Sequence, residues 1–98
     1  MNRITNAHLK AVVDRINRAT KSPMEPWTKR SDGINQAQIG NYHLSEAYGG
    51  VSLHRMVSEG GGVSDVLGTG HVTKRDLANR MQAFLRGLES QAMQAIAD

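Results

Sequence analysis

Eight of the ten glycines in this 98-residue chain fall between Gly40 and Gly70. Glycine adopts backbone angles closed to other residues and lets other groups approach the main chain closely, so such density constrains the middle of the chain to turns and surfaces. The glycines bracket Tyr42, His43, Tyr48, His54, Arg55 and His71, then run into the helix-start sequence Thr73-Lys74-Arg75-Asp76. Function is expected in this segment.

The flanks carry the packing signal. Leu9, Val12, Val13 and Ile16 form an i, i+3, i+4, i+7 stripe behind Thr5 and Asn6, two residues suited to N-capping. The spacing predicts a helix over about 5–18, with Lys10, Asp14, Arg15 and Arg18 off the stripe and Ser22-Pro23 and Pro26 ending it. Residues 19–40 read as an irregular crossing loop in which Trp27 anchors the chain to the core. At the other end Leu77, Met81, Phe84, Leu85, Leu88, Ala92, Ala95 and Ile96 fall within one arc and predict a helix over about 73–96. Thr73 and Asp76 stand in capping-box positions, and Gly87 interrupts the stripe at a cost of about 1 kcal/mol relative to alanine. Close contact with a helix or a second subunit would offset that cost.

Two readings compete for residues 41–57. With Gly49 and Gly50 at the centre of a two-residue turn, Leu44, Glu46 and Tyr48 share a face with Val51, Leu53 and Arg55, and His43, Ser45, Ser52 and His54 share the other. The rival makes 52–58 a short helix burying Leu53, Met56 and Val57 and ending at Gly60. A Gly-Gly pair is a recognised turn and costly inside a helix, which favours the hairpin. Residues 58–72 then form a second, glycine-rich loop. The expected fold is one α+β domain: N-terminal helix, β-hairpin, Gly-rich loop and long C-terminal helix.

A domain of this length buries only about 60 to 70% of its unfolded surface, and four aromatics with no cysteine leave oligomerisation as the available reinforcement. Met1 to Asn6 carry no apolar run of signal-peptide length, and nowhere do 18 apolar residues occur in succession, so a soluble intracellular protein without a membrane partner is expected. The net charge of +3 suits a small anionic ligand better than a long duplex.

The order of segments Ile39-Gly40-Asn41-Tyr42-His43-Leu44, Ala47-Tyr48-Gly49-Gly50, Leu53-His54-Arg55-Met56, Gly61-Gly62-Val63, Lys74-Arg75 and Phe84-Leu85-Arg86-Gly87-Leu88 resembles a family of small, mostly uncharacterised bacteriophage proteins. The resemblance covers most of the chain. It implies a viral accessory protein made in the host cytoplasm, and with it host takeover, DNA metabolism or defence evasion.

The run Gly68-Thr69-Gly70-His71-Val72-Thr73-Lys74-Arg75 is the most specific chemical candidate. Amides in a glycine-rich turn can form an anion nest, and a helix start adds partial positive charge. It matches neither the Walker spacing nor a dinucleotide fingerprint. His43, His54 and His71 lack the close spacing of metal ligands, no nucleophile elbow surrounds Ser45, Ser52, Ser58 or Ser64, and Glu46 and Glu59 read as surface carboxylates. No metal, cofactor or catalysis is expected.

Four hydrogen bonds to a charged group supply about 8 kcal/mol, a micromolar affinity, whereas nanomolar capture needs about 12 kcal/mol. Pooling loops from two or more copies closes that gap. The expectation is a homo-oligomer that sequesters a nucleotide-like signal, cyclic or ADP-ribose-derived, between subunits as an anti-defence device. Tyr42 and Tyr48 would stack on bases, and Arg55, Lys74 and Arg75 would meet phosphates. His43, His54 and His71 would donate hydrogen bonds, and Gly49, Gly50, Gly61, Gly62 and Thr69 would complete the ligand-binding set from the glycine-rich loops. The alternative is nucleic-acid binding or host-enzyme inhibition through Arg75, Asn79, Gln82 and Arg86 on the last helix.

Overall fold

The Leu9, Val12, Val13 and Ile16 stripe is buried along α1, which runs Asn6–Ala19. Thr5 caps it by accepting a 3.1 Å hydrogen bond from the His8 amide. The computed structural model describes residues 3–97, and side chains over 3–91. α2 runs Lys74–Ala97 and starts on Thr73, whose hydroxyl accepts from the Asp76 amide at 3.1 Å. Its Leu77, Ala78, Met81 and Leu85 are buried, with Phe84 and Leu88 packed at the margin. Ala92, Ala95 and Ile96, expected on the same arc, lie outside the described side chains.

Between the helices the chain forms two small antiparallel sheets. β1 (Trp27–Lys29) pairs with β2 (Asn35–Ala37), and β3 (Tyr42–Ala47), β4 (Gly50–Met56) and β5 (Val63–Asp65) form the second sheet in that order. The fold is α+β, with an N-terminal helix, hairpin-like strands and a C-terminal helix, as the patterning predicts.

The structure corrects the sequence reading in four places, the first being Trp27, expected to anchor the chain to the core but 46% exposed and outside the core cluster. The expected crossing loop over 19–40 contains the β1/β2 hairpin, closed by an Arg30 amide bond to Ile34 O at 2.9 Å and an Asp32 carboxylate accepting from the Ile34 amide. The expected glycine-rich loop over 58–72 contains β5. Strands of three residues, almost wholly exposed, leave no period-2 alternation to read. The main hairpin turns one residue early: Ala47 pairs with Gly50, so Tyr48 and Gly49 occupy its centre at φ of 55° and 73°. Positive φ at both positions is what a type I′ turn requires.

Gly50 has a different task. A Cβ there would stand 2.9 Å from the Val72 carbonyl oxygen, and this close approach lets Val51 and Val72 exchange two backbone hydrogen bonds of 2.8 Å. β4 is thereby bordered by β3 on one side and by β5 and then Val72 on the other. The register shift moves the turn centre by one residue and every pair sum by two, so the faces keep their members.

One face packs on both helices. Tyr42, Val51 and Leu53 join the α1 and α2 side chains in one apolar cluster, with Leu44 at its edge. Asn17, buried on α1, accepts from the Tyr42 amide at 2.8 Å and donates to the Tyr42 carbonyl at 2.9 Å. A polar side chain in the core is stable there because it satisfies the exposed edge of β3 twice.

Candidate functional site

The opposite face carries His43, Ser45, Ser52 and His54, grouped as the alternation predicts. His43 and His54 are directly paired across β3 and β4, with ring centroids 6.1 Å apart. The segment held against Gly50 adds His71, 5.9 Å from His54 and edge-on to Tyr48 at 5.7 Å. Three imidazoles and a phenol ring thus form a continuous row from the sheet to the hairpin tip. Tyr48 is 98% exposed.

Hydrogen bonds fix both ends of the imidazole row. Ser45 Oγ and His71 Nε2 lie 3.0 Å apart. The Asn41 amide group donates to Pro23 O at 2.7 Å, which turns its oxygen toward His43 Nδ1 at 3.1 Å. An amide oxygen only accepts, so His43 carries a proton on Nδ1 and presents Nε2 as its basic nitrogen. Burial holds the His43 imidazole below its ordinary pKa; the neighbouring His54 charge acts the same way, and a hydrogen bond to the Asn41 backbone opposes them.

Asp65, a residue the sequence reading did not select, stands opposite His54 on β5. Its carboxylate accepts from the Gly70 amide at 2.7 Å, the Gly68 amide at 3.2 Å and the Ser52 hydroxyl at 3.3 Å. Desolvation pushes its pKa up, but the Gly70, Ser52 and Gly68 hydrogen bonds and the His54 charge outweigh it and hold the carboxyl below its usual range. The amides expected to form an anion nest at Gly68 and Gly70 therefore already hold the protein's own carboxylate. The spacing Asp65-x-x-Gly68-x-Gly70 was the available signal, since Asp side chains commonly bond amides a few residues ahead.

The other predicted residues scatter. Tyr42 is 5% exposed, its ring 6.1 Å from Phe84 and covered by the Arg55 guanidinium 5.0 Å from the ring centroid, so it stacks within the protein and not on a ligand. Arg55 lies on the helix-facing side of β4, away from the histidines. Gly61 lies under the half-exposed Trp27 ring, Gly62 donates to Ser58 Oγ at 2.8 Å, and the Thr69 hydroxyl donates to Gly70 O at 2.8 Å. Gly49, Gly50 and Lys74 do converge, with Glu46, Ala47 and Val51, on a concavity of about 390 Å³ at the hairpin tip. Arg75 is exposed in the first turn of α2.

No family model, curated protein or solved structure matches this chain. Among the described residues no group of three or more His, Asp or Glu side chains is arranged to hold a metal ion, and no helix is long and apolar enough to cross a membrane. Two ion pairs involve α2: Arg80 Nε donates to Asp76 at 2.9 Å within the helix, and Glu89 accepts from Arg15 of α1 at 2.8 Å.

Proposed function

We propose that this chain is a phage accessory protein that binds and sequesters a small, anionic, nucleotide-like ligand without turning it over, in the host cytoplasm and between copies of itself. The observation that carries the reading is the His43–His54–His71 row ending at Tyr48, an almost fully exposed aromatic held at positive φ. A tyrosine in the left-handed region is disfavoured by about 1 to 2 kcal/mol, and turn positions of this type are ordinarily filled by Gly, Asn or Asp. Retaining a large ring there supports an external partner for it. A His54 ring N–H, and His43 Nε2 once protonated, supply hydrogen bonds to phosphate or ribose oxygens, and Lys74 in the concavity at the hairpin tip supplies a positive charge. The viral setting and the anti-defence role rest on the segment resemblance.

The test is ligand capture. Purified protein is incubated with nucleotide extracts from infected, defended bacteria, desalted, and examined intact by native mass spectrometry. Expected is an oligomer retaining a phosphate-containing small molecule unchanged in mass, with retention lost in Tyr48→Asn and reduced in Lys74→Ala. A protein that retains nothing overturns the reading. Capture that instead falls steeply with salt and requires strands of DNA or RNA would transfer the role to nucleic-acid binding.

A further inference from the structure

We infer that His43, His54 and His71 act as one proton-loaded anion receptor, so that the ligand's phosphate groups are bound with uptake of protons and more tightly in mildly acidic than in alkaline solution. The inference rests on the nucleotide-binding reading and assigns the regulation of that same site. Its basis is the spacing. Consecutive imidazole centroids lie 6.1 and 5.9 Å apart, close enough that a charge on one ring opposes a charge on the next. Without an anion over the row, the His54 charge opposes protonation of His43. A phosphate placed over it reverses that balance, because each imidazolium then gains an anionic partner.

What faces the row determines whether the protein itself can supply that partner. From β5 comes Asp65, whose two oxygens already accept from Gly68, Gly70 and Ser52. From the hairpin tip comes the uncharged Tyr48 ring, and from β3 and β4 the Ser45 and Ser52 hydroxyls. Arg55 and Glu46 belong to the other face of the sheet, Glu46 lining the tip concavity with Lys74 of α2. On the far side of His43, Lys10 of α1 and the exposed Glu25 share a groove with it, and Lys10 is paired to Asp14 at 2.8 Å. Three imidazoles therefore confront one carboxylate whose hydrogen-bonding capacity is largely committed to the 68–70 loop, plus a solvated glutamate at one end. The depressed basicity of His43 agrees with this arrangement, since burial and the His54 charge both oppose its protonation.

Inorganic pyrophosphate is the probe. Isothermal titration at pH 8 and pH 6, each in two buffers of different ionisation enthalpy, reads affinity and proton uptake together, and the difference from His54→Gln cancels the proton that pyrophosphate itself binds over this range. Each proton taken up raises the affinity about tenfold per pH unit within the titration range, so a gain of at least tenfold from pH 8 to pH 6 with a buffer-dependent heat is expected. His54→Gln keeps a hydrogen-bonding side chain in the middle of the row and removes its proton site; it should flatten the pH dependence while circular dichroism confirms the fold. In the free protein, histidine NMR should show the His43 midpoint below the ordinary imidazole value and rising in His54→Gln. Pyrophosphate binding of equal strength at both pH values, without proton uptake, overturns this inference and leaves nucleotide capture standing. Absence of pyrophosphate binding at either pH overturns it also, and a simultaneous failure to retain any extract nucleotide removes the underlying reading.

Discussion

The two faces of the β3–β4 hairpin are built from the same backbone and differ in everything else. The helix-facing side places Tyr42, Val51 and Leu53 against Leu9, Val13, Ile16, Leu77 and Met81, and removes them from water. The other side aligns His43, Ser45, Ser52 and His54 beneath one crossing segment, with a carboxylate and two loop amides closing the border. Burying apolar surface holds the first face together, whereas directional hydrogen bonds hold the second. A face of the second kind is weaker per residue, and it keeps titratable groups half-exposed at fixed spacing, which is what recognition of a polar ligand needs.

The contrast breaks most visibly in the core. Leu53 is fully buried beneath both helices, and Leu53→Ala should destabilise the protein by about 2 to 5 kcal/mol in urea unfolding. Because the alternation separates the faces, histidine NMR shifts of the surviving folded fraction should move little. Large shifts at His43 and His54 would show that the faces are not independent. Next in size is Gly50→Ala, whose Cβ would crowd the Val72 carbonyl and force apart the Val51–Val72 pair, at about 1 to 3 kcal/mol. Here the larger signal should be local: His71 loses its fixed place beside Ser45, and its NMR resonance shifts most. An unchanged His71 resonance would mean that the crossing segment is held by something other than this close approach.

The first face was legible in the sequence and the second only half so. Helical periodicity in α1 and the first four turns of α2 follows directly from burial, so Leu9 to Ile16 and Leu77 to Leu85 announce themselves. Alternation also sorted the hairpin residues correctly even though the turn was placed one residue late, since a shift of both strands together preserves parity. Gly50 was the source of that misplacement: it serves an inter-segment contact that no local pattern encodes. The same blindness explains the site. Tyr42 and Arg55 have the residue types of a ligand pocket but pack on each other, and Asp65 looks like one more loop acid until the chain returns Gly68 and Gly70 to its oxygens. The close association of His71 with His54 is tertiary information, carried by a backbone crossing and not by spacing.

Tyr48 offers a substitution in which stability and recognition should move in opposite directions. Asn tolerates the left-handed region better than an aromatic residue, so Tyr48→Asn should stabilise the fold by about 0.5 to 1 kcal/mol in urea unfolding. Its ring is 98% exposed, so little apolar burial is forfeited beyond the edge contact with His71. If the variant is instead destabilised, the tyrosine is a structural brace and the argument from strain to ligand fails.

The smallest expected effect distinguishes the faces by pH alone. His43 has a folded-state pKa below its ordinary value of about 6.5, so on acidification the unfolded chain takes up the proton first. Its contribution to stability is therefore present at pH 8 and declines as the pH falls through about 6.5 toward the folded value. Asp65, held below the ordinary carboxylate value of about 3.9, contributes above that value and loses its contribution as the pH falls through the folded one. Melting temperature followed from pH 8 to pH 3 should show a shallow first decline that His43→Gln removes and a later one that Asp65→Asn removes. Leu53→Ala should lower the whole profile and leave its shape intact, because neither His43 nor Asp65 lies on the face it alters. A first decline that survives His43→Gln would assign the proton uptake to other groups and detach the pH response from this end of the imidazole row.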